Sequence, residues 1–200
     1  LASPPDPIDL SLNEVEGMAL KAARGSGLPW GVAEDVGRAA AWMAGHAGEW
    51  AEPLLGLLEA PPARDENPLL LAGLLADGMA GARSRTAERV VAPAWVVPGV
   101  LLASGMRRFT LRLGTAEIRS GATATCPATA LADLPPGPVV LRFPATDPPG
   151  LPFPIVARFR RSVIGMDQWR RLDALAQRTY VPASDDSRRR GAGGARLDDD

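Results

Sequence analysis

Arg108-Phe109-Thr110-Leu111-Arg112-Leu113 alternates between polar and apolar side chains, residue by residue. In an extended chain, neighbours project to opposite sides. Phe109, Leu111 and Leu113 therefore share one face of a strand, and Arg108 and Arg112 occupy the other. The same period of two recurs downstream. It predicts strands over Ala116–Arg119, Val139–Phe143 and Ile155–Arg161, with Val96–Ala103 as a further strand just upstream. Pro135-Pro136-Gly137 and Pro148-Pro149-Gly150 supply turns between them.

Upstream the period changes to that of a helix. Ser11-Leu12-Asn13-Glu14 is a capping box, in which the serine hydroxyl meets an orphan amide and Glu14 reaches back. Leu12, Val15, Met18, Ala19, Ala22 and Ala23 then form one apolar stripe, and Gly25-Ser26-Gly27 stops the helix. A second helix is predicted from Val32 to His46 and a third from Pro68 to Met79, capped by Asn67. A last helix is predicted from Asp167 to Arg178, with Asp167 as its cap and Trp169, Leu172, Leu175 and Ala176 inward. Helices first and strands later predict an α+β fold: N-terminal helices on a mostly antiparallel sheet, one C-terminal helix and a polar tail. The domain boundaries read as a flexible lead over residues 1–10, a single domain over 11–180, and a tail over 181–200 ordered against it.

Composition narrows the chemistry. The chain has one cysteine, Cys126, and one histidine, His46. No disulfide can close within it, which fits a reducing, cytoplasmic setting. A zinc site built from Cys and His needs three or four ligands, so no metal is expected. A nucleophile–histidine pair could use only His46, and its surroundings do not mark it as a base. Leu1–Leu10 has no basic residue and no apolar core, so no secretory leader is expected. The longest uncharged run, Val90–Met106, is interrupted by Pro93 and Pro98 and is shorter than the ~20 residues of a membrane helix. No phosphate-binding loop, metalloprotease helix or nucleophile elbow occurs, and nothing names a cofactor.

Three features could carry function. The first is an arginine face. Alternation sends Arg112, Arg142 and Arg158 outward, with Arg108, Arg119 and Arg160 beside them. Guanidinium groups clamp carboxylate or phosphate bidentately, so this face could bind an anion. The plainer possibility is a solvated face balanced by acidic helices, because residues 1–82 carry four basic and twelve acidic side chains.

The second feature is Lys21, the one lysine beside twenty-one arginines. Lysine can lose its proton when desolvated and arginine cannot, so Lys21 and nearby Glu14 are the acid/base candidates. Asn13, Gly17, Lys21 and Arg24 form one polar stripe, and Gly17 could admit something close. A catalytic amine there should be partly buried, near a carboxylate or the tail. The alternative is a wet helix face whose Lys21 and Arg24 favour the helix dipole. The third feature is the tail from Tyr180 through Ser184 and Arg188. Its composition reads as disorder, but its pattern is particular.

Two stretches carry a resemblance. Ser11-Leu12-Asn13-Glu14-Val15-Glu16, Lys21-Ala22-Ala23-Arg24-Gly25 and Leu28-Pro29-Trp30-Gly31 resemble the N-terminal signature of the bacterial family known as domain of unknown function 3726. Tyr180-Val181-Pro182-Ala183-Ser184, Ser187-Arg188, Gly191-Ala192-Gly193 and the acidic end resemble its C-terminal signature, although Asp198-Asp199-Asp200 departs from its Asp-Asn-Asp ending. The resemblance implies recurring polar motifs at both ends and brings no activity or catalytic residue with it.

The residues thus point first to an enzyme, or enzyme subunit, of bacterial catabolism acting on an anionic metabolite. Arg112, Arg142, Arg158, Arg24, Asn13, Tyr180, Ser184 and Arg188 would hold the ligand, and Lys21 or Glu14 would move the proton. The rival is a non-catalytic accessory module docking an acidic partner on the basic sheet face. Nucleic acid is disfavoured, because the strand phenylalanines face the core and leave no stacking platform. Convergence of the three features on one pocket would favour the enzyme, and scatter would favour the module.

Overall fold

The computed structural model describes residues 6–77, 84–104, 109–119, 134–143 and 159–180. Within them the protein is α+β. Its helices are α1 (Leu12–Gly25), α2 (Trp30–His46), α3 (Ala51–Glu59), α4 (Pro68–Asp77), α5 (Val96–Ser104) and α6 (Met166–Gln177). Its strands are β1 (Ile8–Ser11), β2 (Ser84–Val90), β3 (Thr110–Leu113), β4 (Ala116–Arg119), β5 (Gly137–Arg142) and β6 (Arg161–Ile164). β2, β5, β3 and β4 form one antiparallel sheet in that order, and β1 and β6 form a second, two-stranded one.

The capping box at α1 forms as the sequence predicts. Glu14 N–H donates to Ser11 Oγ at 3.3 Å, and Ser11 N–H donates to Glu14 Oε2 at 2.7 Å. α1 buries Val15, Ala19, Ala22 and Ala23 against its neighbours α2 and α6. Two glycines permit this approach. A β-carbon on Gly37 of α2 would lie 2.8 Å from the Glu16 carbonyl oxygen, and one on Gly25 would lie 1.7 Å from that of Leu175 in α6. Gly17 has open space around it, so it is not the point of close approach. One continuous core runs from Val15, Met43, Trp50 and Leu54 through Trp95 to Leu111, Leu141 and Leu172.

Several boundaries differ from the sequence reading. The lead is not wholly loose, because Ile8–Ser11 is a strand paired with β6 and buries Leu10. Its partner lies about 150 residues away, beyond any local pattern. Val96–Ser104 is a helix and not a strand. An unbroken apolar run carries no periodicity to separate the two. Pro98 sits in its first turn, where no amide partner is lost. A β-carbon on Gly99 would come within 2.4 Å of Ala72 Cβ, so α5 lies directly on α4. α3 and β2 were not anticipated. α2 starts at Trp30, two residues early, and the described part of α4 ends at Asp77. The last helix starts at Met166, and its cap is Gly165 and not Asp167; Gln168 Oε1 accepts from the Gly165 N–H at 3.0 Å. Most of the strand expected over Ile155–Arg161, and the whole tail over 181–200, lie outside the described residues. The strand that is described, Arg161–Ile164, pairs with β1 and not with the larger sheet.

Candidate anion-binding face

The register of the four-stranded sheet sorts its side chains into two faces. Leu141, Leu111 and Ile118 stand abreast and are buried, as do Val139 and Leu113, which belong to the core. The residues between them form the outer face. One rung runs Ser84, Arg142, Thr110 and on to the position of Arg119; the next runs Thr86, Val140, Arg112 and Glu117. Arg112 and Arg142 are thus diagonal neighbours on adjacent strands, a spacing of about 7–8 Å with the β-carbons somewhat closer. Both are exposed, with 54% of the Arg112 side chain accessible. Phe109 and Phe143 are buried on the opposite side, as the alternation predicts.

Charge on this face is only partly balanced. Arg112 Nε lies 3.8 Å from Glu117 Oε2, a loose pair, and Arg142 has no ion-pair partner among the described residues. Several acidic side chains of the helical half are engaged elsewhere. Asp9 meets Arg161 at 2.7 Å and Glu66 meets Arg89 at 2.6 Å. Glu52 and Glu59 of α3 clamp Arg171 of α6 at 2.9 and 2.6 Å. Glu34 and Asp35 pair with Arg38 on their own helix. The opposite charges of the two halves therefore do dock on one another, through Arg89, Arg161 and Arg171, and not through Arg112 or Arg142.

The remaining candidates lie elsewhere. Lys21 is exposed and has no hydrogen bond or ion pair among the described residues. Glu14 spends its carboxylate on the cap, accepting from both the N–H and the hydroxyl of Ser11 at 2.7 Å. Asn13 is exposed in the first turn of α1. Arg24 donates to the Leu28 carbonyl and stacks 5.4 Å from the Trp30 ring, so it fastens the α1–α2 turn. Tyr180 is exposed just past α6. Arg108, Arg158, Ser184 and Arg188 lie outside the described residues. Phe159 and Arg160 precede β6 and do not join the larger sheet; Phe159, expected inward, is 38% exposed, and its N–H donates to the Gly45 carbonyl. α1 packs on α2, α6 and β1, so Lys21 and the arginine face belong to different parts of the molecule.

Sequence reasoning passed over one polar pair. The His46 ring stacks on Trp42 at 4.4 Å, and its Nδ1 lies 2.8 Å from the Trp42 carbonyl. A carbonyl only accepts, so Nδ1 donates to it. Nε2 and Trp42 Nε1 are sealed from solvent without partners among the described residues. Among the described residues no group of three or more His, Cys, Asp or Glu is placed to hold a metal ion. Nor is any described helix long and apolar enough to cross a membrane.

Two carboxylates are held low by their hydrogen-bond partners. The Ser11 hydroxyl and then its N–H hold Glu14 below the usual glutamate range, with help from the charge of Arg161. The Arg171 hydrogen bond holds Glu59 low against the opposing effect of burial, and the Arg171 charge adds to it. A carboxyl whose folded pKa is depressed contributes stability above its unfolded value, and loses it as pH falls through the folded value. Urea midpoints should therefore drop below about pH 4.3. Glu14→Gln and Glu59→Gln should each flatten that drop; an unchanged acid profile in both would show that these pairs do not set it.

Residues 10–68 match the model of a family described as a protein of unknown function (DUF3726). No curated protein and no solved structure matches the chain significantly.

Proposed function

From a chain whose residues 10–68 match a family of unknown function, we propose a non-catalytic accessory module that binds an anionic partner on the outer face of its four-stranded sheet. One observation carries this reading. Arg142, Thr110 and Arg112 stand together on an exposed face, and Asp9, Glu52, Glu59 and Glu66 of the acidic helical half pair with other arginines. Guanidinium and hydroxyl donors side by side suit carboxylate or phosphate oxygens. The separation of Lys21 and Glu14 from this face supports the module over an enzyme acting on an anionic metabolite. The lone Cys126 supports a cytoplasmic setting.

Salt elution from a carboxymethyl column, whose separate carboxylates suit any anion-binding face, tests the reading. Arg112→Glu/Arg142→Glu should elute at clearly lower salt than the parent protein. Arg64→Glu/Arg170→Glu, at two exposed arginines off this face, makes the same change in net charge. It should elute close to the parent. Equal shifts for the two doubles would mean that net charge, and not this face, governs binding.

A further inference from the structure

The composition of the face narrows the partner. We infer that it docks an acidic protein segment of mixed charge, and not a uniform polyanion or an enclosed metabolite; the inference rests on the anion-binding reading above. Three observations carry it. First, the arginines stand on a sheet face and are exposed, with 54% of the Arg112 side chain accessible. A metabolite site usually buries most of its ligand. Second, the face carries a half-buried apolar residue, Val140, between Thr86 and Arg112 in one rung, with Pro138 and Arg142 two residues to either side of it on the same strand. An apolar centre with arginines around it is the anatomy of a protein interface.

Third, Glu117 stands in the same rung as Arg112, 3.8 Å from its guanidinium. A chain of phosphates crossing the face would meet that carboxylate as a like charge. A protein segment can set carboxylates against Arg112 and Arg142 and a lysine against Glu117. The described side chains of the face include Ser84, Thr86, Thr110, Arg112, Glu117, Pro138, Val140 and Arg142. None is aromatic, so bases would find no stacking surface.

Two fluorescent probes distinguish the classes: a twelve-residue peptide repeating Glu-Glu-Lys, and a twelve-nucleotide oligo-thymidine. The peptide should bind the whole chain more tightly, and Arg112→Glu/Arg142→Glu should weaken it at least tenfold. Glu117→Gln gives opposite signs, weakening the peptide and tightening the oligonucleotide. Preference for the oligonucleotide, or Glu117→Gln tightening both probes, overturns the protein partner and leaves the anion-binding face intact. Binding of neither probe, or binding indifferent to the two arginines, overturns the anion-binding reading as well. Thermal melts of each variant confirm that it is folded.

Discussion

Trp50→Ala should lower the unfolding free energy by about 3–5 kcal/mol, the range for emptying a large aromatic site in a core. Trp50 is 1% exposed and immediately precedes α3. Its indole N–H donates to Ser162 Oγ at 3.0 Å, and Ser162 lies in β6, itself 5% exposed. One side chain thus fills the core and joins the helical layer to the strand that closes against the N-terminus. Alanine removes the volume and also leaves a buried hydroxyl unpaired, which costs about 1–3 kcal/mol by itself. Trp50→Phe keeps most of the volume and loses only the hydrogen bond, so it should fall well short of the alanine cost. Urea midpoints at unchanged slope would measure both. A loss below about 1 kcal/mol for Trp50→Ala would contradict its place in the core.

Glycine-to-alanine changes on α1 should have opposite signs at its two glycines. Helix propensity alone favours alanine by about 1 kcal/mol in a helix interior, where Gly17 lies, and by less at Gly25, the last residue of α1. At Gly17 nothing lies within 4 Å of the new methyl group, so Gly17→Ala should be stabilising by up to that amount. At Gly25 the methyl would fall 1.7 Å from the Leu175 carbonyl oxygen and 2.6 Å from its carbon. Those atoms are α6 backbone and cannot rotate away as a side chain could. α1 and α6 must part, and overpacking of this kind costs about 1–3 kcal/mol or more, enough to reverse the propensity gain. Gly25→Ala should therefore be destabilising, and a larger residue such as valine should abolish folding. Equal melting shifts at the two positions would mean that α1 and α6 do not touch at Gly25.

The same two glycines mark how far local sequence reaches. Gly17 stands out as a glycine on the polar stripe inside a helix, and Gly25 reads as a helix stop. Which of them faces another backbone depends on α6, some 150 residues downstream. The candidate site divides in the same way. Period-two alternation set Arg112 and Arg142 outward, because a strand with one buried face has only one register that hides Leu111, Leu113 and Leu141. That the two arginines are diagonal neighbours required the strand order β2-β5-β3-β4, and the order comes from sheet pairing between distant segments. Lys21 stood out by residue type, which says nothing about its neighbours; the fold leaves it exposed.

The α+β class, the Ser11–Glu14 cap, the core stripe of α1 and the inward phenylalanines Phe109 and Phe143 followed from the sequence by itself. Each depends on residues within a turn or two of one another, or on a side-chain period that any strand or helix imposes. Tertiary structure alone decided that Val96–Ser104 is a helix, because an all-apolar run has no period and only the surface of α4 selects its form. It alone drew Ile8–Ser11 into a strand against β6. It also chose which arginines meet acids. Arg89, Arg161 and Arg171 find carboxylates because packing brings distant elements within 3 Å, and Arg112 and Arg142 stand on the one sheet face to which those acids are not brought.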